Sequence, residues 1–202
     1  MEASTSEIVQ TASCVAVGRF NPAILTPSWI VREGILPAGE AEVGHTIGAG
    51  TLQFRLSGLL WQATLSKLEV TAESEEGNPG TFVAQVLSKL PHTPVRAVGN
   101  NFATTLTNEQ GKRLYPLIKC SLLDVAATIG HEDLGQSVTL TLAHENEGIV
   151  RLALEAEQGE VTSISFNFHR ECGSATTGVE AASRWEDDRG EARRLLEKLL
   201  EL

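Results

Sequence analysis

A chain of 202 residues with 42% hydrophobic and 21% charged side chains suits one globular domain, or two small halves sharing a sheet, and excludes disorder as its default state. A net charge of -10 repels nucleic acid, and the nearest basic cluster (Arg189, Arg193, Arg194 and Lys198) is diluted by carboxylates. No apolar run is long enough to span a bilayer, and the first residues lack the basic and apolar regions of a secretory signal.

The residues Met1 to Ala12 read as a polar, loosely held tail. Ser13 to Phe20 is a short apolar run and is expected to form the first strand. Thr26-Pro27 is a helix start, with Thr26 as N-cap and proline at the first helical position, and Gly34 ends that helix. Leu36 to Gly50 carries one proline and several glycines and reads as a loop. Leu52, Phe54 and Leu56 alternate with polar neighbours, as do Trp61, Ala63 and Leu65. Leu68, Val70 and Ala72 alternate one phase later. The phase change predicts a tight turn at Ser66-Lys67 and an antiparallel hairpin.

Glu73 to Pro79 is an acidic link. Val83, Val86, Leu87 and Leu90 recur at helical spacing, and Pro91 stops that helix. Val95 to Thr104 is the next strand. Thr107 and Gln110 form a capping box that opens a helix, which Pro116 should end or kink. Three alternating runs follow, centred on Leu140, Leu152 and Phe166, with turn sequences at Glu145 to Gly148 and Gln158-Gly159, which predicts a three-stranded meander. One long helix closes the chain. Thr177 and Glu180 are its expected capping box, Trp185, Ala192, Leu196 and Leu199 its apolar stripe, and Glu180, Arg184 and Asp188 its outer face. Strands that mostly follow strands predict the α+β class, with helices on one face of a curved, mainly antiparallel sheet. The two halves, about 13–106 and 107–202, share a hairpin-plus-helix theme without a sequence repeat.

Few residues carry a chemical signal. Arg96, between Val95 and Ala97, reads as a solvated or rim-paired residue, and in a functional reading as an anion or carboxylate clamp. Gly99-Asn100-Asn101 reads as a bulge whose asparagines could hold a polar ligand group. His169 and Cys172 supply two metal ligands where three or four are needed, so no metal site is expected. Cys14, Cys120 and Cys172 are odd in number, widely spaced and without a CxxC pair. They read as reduced, inert thiols of a cytoplasmic protein. There is no nucleophile elbow, no GxGxxG and no P-loop; Gly44 to Gly50 reads as a flexible loop, and no cofactor is implied. Glu75-Glu76 and Asp187-Asp188 read as solvated charge. Trp29, Trp61 and Trp185 are expected core anchors, with Trp61 or Trp185 the alternative residues of a partner-binding face.

Val17-Gly18-Arg19-Phe20-Asn21-Pro22, then Pro91 to Gly99, then Asn167-Phe168-His169 before the terminal helix resemble an uncharacterised group of bacterial α+β proteins of about this length. The resemblance covers most of the chain. It implies a bacterial cytosolic setting and a compact α+β domain, and it carries over no activity and no site residue.

Two functions are therefore expected. The first is a non-catalytic, acidic cytosolic subunit that docks on another protein or forms a homodimer through a sheet face or the terminal helix. Its reasons are the charge, the missing catalytic signatures and the sheet edges or second face that need covering. A bacterial defence or toxin-neutralising accessory fits this class. The second is a small-molecule-binding or hydrolytic domain with a pocket between sheet and terminal helix, using Arg96, Asn100, Asn101 and His169.

Overall fold

A computed structural model of the chain describes residues 11–37, 41–42, 50–72, 77–118, 136–143, 148–157 and 160–201. The elements run β1 (Thr11–Gly18), α1 (Pro27–Arg32), β2 (Ala41–Glu42), β3 (Thr51–Leu56), β4 (Leu59–Thr64), β5 (Lys67–Ala72), α2 (Pro79–Lys89), β6 (Val95–Thr105) and α3 (Asn108–Ile118). They continue as β7 (Gln136–Ala143), β8 (Ile149–Glu157), β9 (Glu160–Glu171), α4 (Ala175–Ser183) and α5 (Trp185–Leu200). The fold is α+β. The strands form one open, curved sheet in the order β2-β3-β4-β5-β1-β6-β9-β8-β7, and every pairing is antiparallel.

Local chemistry accounts for the element boundaries. The Thr26 side chain accepts a hydrogen bond from the Trp29 amide, and Pro27 occupies the first turn of α1. Asn78-Pro79 repeats the device: Asn78 Oδ1 accepts from the Thr81 amide, so α2 begins inside what reads as an acidic link. Ser57 and Gly58 both take positive φ, as a two-residue turn matched to strand twist requires, and this closes the β3–β4 hairpin. The turn at Leu65-Ser66 closes β4 onto β5, where the phase of the alternation changes. Gln110 and Thr107 form the expected reciprocal cap of α3.

Several expectations need correction. The first strand begins at Thr11, two residues inside the expected tail, and the expected loop after Leu36 contains the short β2. Pro116 lies within α3, which runs on to Ile118. The terminal helix is two helices broken at Arg184, and its capping box joins Ser174 to Thr177, not Thr177 to Glu180. Gly99 is no bulge: it pairs in register with Val15 and His169, and the irregularity in the β1–β6 ladder lies between Val17 and Gly18. The meander of β7, β8 and β9 is as expected, while Glu75-Glu76 and most of both its turn sequences lie outside the described residues.

The winding repeats. In each half a first strand is followed by a helix, then by a meander (β2 to β5, β7 to β9) whose last strand pairs back onto the first (β5 onto β1, β9 onto β6). A helical segment follows each meander, and the two first strands pair with each other at the sheet centre. The corner at Pro91 to Pro94 separates the two windings.

Strand alternation sorts side chains onto two unlike faces. One register row on the helix side crosses eight strands as Phe54, Trp61, Val70, Cys14, Asn100, Phe168, Val150 and Leu142. Asn100 is its one amide side chain. Helix α2 packs on β1 and β5, α4 and α5 on β6, and α3 on β8 and β9. Phe102 makes the joint with the last helix, its ring 4.7 Å from that of Trp185 and 5.9 Å from Phe168. The opposite face carries the row Thr71, Ser13, Asn101, Asn167, Arg151 and Thr141. No described helix covers it.

Candidate functional site

The named candidates separate instead of converging. Asn100 and Asn101 are consecutive in β6, so the strand sends them to opposite faces. Arg96 is exposed beside the irregularity near Gly18, and its carbonyl accepts the Cys172 amide. His169 is half-buried on the open face, cross-strand from Gly99 and two residues along from Asn167. Trp61 and Trp185 are each 1% exposed, which corrects their alternative reading as a partner face: both are core residues.

Under the helices lies a buried polar node. Asn100 Nδ2 donates to Asp188 Oδ2 at 2.8 Å and lies 3.5 Å from the Ala181 carbonyl oxygen. Arg170 donates through Nη1 to the same Asp188 oxygen at 2.7 Å and through Nη2 to Oδ1 at 2.6 Å. All three side chains are buried. This overturns the reading of Asp188 as an outer-face, solvated charge. The forked pairing is the geometry that makes a buried charge tolerable. Asn100 Oδ1 and Arg170 Nε are buried with no hydrogen-bond partner, so the node is not fully satisfied.

No motif marks Arg170 or the buried role of Asp188, yet the sequence carries a signal for both. Arg170 continues the alternation Ile164, Phe166, Phe168 onto the core side. Asp188 sits on the stripe Trp185, Asp188, Ala192, Leu196, all buried. An acid and a base on two core stripes mark a buried pair.

Cys14 is adjacent to this node on β1, fully buried. Burial pushes its thiol far up, the Asp188 carboxylate adds to this, and Arg170 opposes it. The thiol is therefore held protonated and unreactive. Cys172 is also pushed up, chiefly by burial.

The open face holds a second polar arrangement. Asn167 Nδ2 donates to Asn101 Oδ1, and Asn101 Nδ2 donates to Ser13 Oγ at 3.2 Å. The ladder ties the two central strands to β9. A Cβ on Gly99 would lie 2.9 Å from Asn167 Nδ2, so glycine there makes room for the ladder. Partial burial is the main influence lowering the His169 pKa, and Arg151 lowers it further against the pull of Glu171. The shift favours the neutral imidazole, and among the described residues no cysteine or serine nucleophile is positioned by a hydrogen bond to it.

The third feature is the outer edge of β7. Leu140 and Leu142 face the helix side, yet they are 48% and 45% exposed, because the described helices do not reach across this strand. From Gln136 to Ala143 the strand has no charged residue, no proline and no glycine. The opposite edge of the sheet is different: β3 is covered there by β2 and carries the exposed Arg55. No protein-family model matches this chain, and no curated protein matches it at significant similarity.

Proposed function

We propose that the protein is a non-catalytic, cytosolic protein–protein interaction subunit that docks through the outer edge of β7. One observation carries this reading. An eight-residue edge strand exposes two leucines and has none of the charges, prolines or bulges with which such edges are normally protected. An unpaired edge offers a row of backbone donors and acceptors, and an incoming strand completes the ladder while its side chains cover Leu140 and Leu142. The buried, protonated Cys14 and the dispersal of Arg96, Asn100, Asn101 and His169 over two faces and the irregularity near Gly18 favour a scaffold over a catalyst.

A photo-cross-linking side chain placed at Thr139 of the full chain tests this in the native cell, with the exposed Lys89 of α2 as the comparison site. A discrete adduct from position 139 and none from position 89 is expected. No adduct from position 139, or equal adducts from both, contradicts the reading.

A further inference from the structure

We infer that the occupant of the β7 edge is a second copy of this chain, paired antiparallel about a two-fold axis at Leu140. The inference rests on the β7 docking reading and adds the identity and register of the partner. Between two copies, charge favours this strand over the open sheet face as the place of contact. Each chain carries a net charge of -10, and in a symmetric contact every patch meets itself. The open sheet face mixes Lys67, Arg151, Glu69, Glu155 and Glu171, charges that a contact between copies would have to desolvate or set against their own kind. The stretch Gln136–Ala143 carries no charge and meets no such penalty.

The side-chain order also matches itself. With Leu140 on the axis, Val138 lies opposite Leu142 on the helix side, and Leu140 lies opposite its own copy. On the open side Thr139 lies opposite Thr141, and Ser137 opposite Ala143. Moving the axis to Thr139 sets Gln136 against Leu142 instead. Pairing about Leu140 also keeps both helix layers on the same side, so the exposed leucines of both copies form one apolar seam between them. The result is a single sheet continuing through both chains.

Light scattering across a concentration series, combined with disulfide cross-linking, tests the proposal. The full chain is expected to give twice the mass of one chain. Leu140→Cys is expected to cross-link to itself on mild oxidation, since residues directly opposite each other in an antiparallel ladder lie at a Cα separation that a disulfide spans. Val138→Cys alone should not cross-link, but mixed with Leu142→Cys it should; the wild-type chain under the same oxidation supplies the background. Leu140→Lys puts like charges opposite each other and should weaken dimerisation by at least about tenfold. Thr139→Lys, on the other side of the strand, serves as the second variant should the first fail to fold. A monomer at every concentration overturns the second copy as occupant. If position 139 still gives an adduct with a different protein in the cell, the docking reading survives that failure; if it gives none, both fall. A dimer that Val138→Cys cross-links by itself overturns the register.

Discussion

Arg170 on the last strand and Asp188 on the last helix meet in the interior through two hydrogen bonds of 2.7 and 2.6 Å. Together with Asn100, which donates to the same carboxylate, this pair fixes where α5 sits on the sheet, since the rest of the contact is apolar and non-directional. Removing one partner strands a buried charge. Asp188→Ala should cost about 3–5 kcal/mol in urea denaturation. The double variant Arg170→Met/Asp188→Leu should recover most of that loss. A double variant as unstable as the single one would show that the pair contributes more than mutual neutralisation.

Asn100 and Asn101 should respond differently although they are adjacent. Asn100→Asp would place a second carboxylate against Asp188, where like charge and burial raise a carboxyl pKa. The folded state would then bind the extra proton more readily than the unfolded one. The deficit of Asn100→Asp relative to wild type should therefore shrink as pH falls from 7 to 5. Asn101→Ala removes both half-buried ladder bonds, to Ser13 and from Asn167, and should cost about 1–3 kcal/mol, with little pH dependence.

Two glycines give a graded test of packing. A Cβ on Gly80 would lie 2.4 Å from the Trp185 Cβ and 2.5 Å from the Ala182 carbonyl oxygen, both at the α4–α5 joint. Gly80→Ala must push α2 off that joint and should cost about 2–3 kcal/mol. At Gly99 the obstruction is the end of the Asn167 side chain. Gly99→Ala should cost about 1 kcal/mol, and the cost should vanish in an Asn167→Ser background. Thermal denaturation of the four variants resolves the difference.

The lowered pKa of His169 has a defined sign for stability. On acidification through about pH 6.5 the unfolded state takes up this proton first, which favours unfolding. The contribution of His169 therefore makes stability fall as pH falls, until the folded state is protonated as well. His169→Gln should flatten the wild-type slope between about pH 7 and pH 5. An unchanged slope would show that the histidine titrates alike in both states.

The fold was legible where chemistry is local. Thr26-Pro27, Thr107 with Gln110, and the alternations through Trp61 and Phe166 read directly as caps and strands. What sequence could not convey was position within the sheet. Val138, Leu140 and Leu142 alternate like any half-buried strand, and only the strand order shows that β7 lies at an edge beyond the described helices. Likewise Asn100 and Asn101 look equivalent until the pleat divides them between a buried node and an open ladder. Asp187-Asp188 has the look of a solvated charged pair, although the spacing of Asp188 from Trp185 and Ala192 puts it on the buried stripe. Asn78-Pro79 repeats the Thr26-Pro27 device, but the acidic residues before it mask the helix start.

The central claim is that β7 presents a free edge for a partner strand, and hydrogen exchange at its backbone amides tests it most directly. In the dilute full chain, the amides of residues 136–143 that point away from β8 should exchange rapidly. They should gain protection as concentration rises or as the cross-linked partner is added, while the amides of β4, paired on both sides, stay unchanged. Outward β7 amides that are already slow to exchange in dilute solution, and insensitive to concentration and partner, would contradict the account.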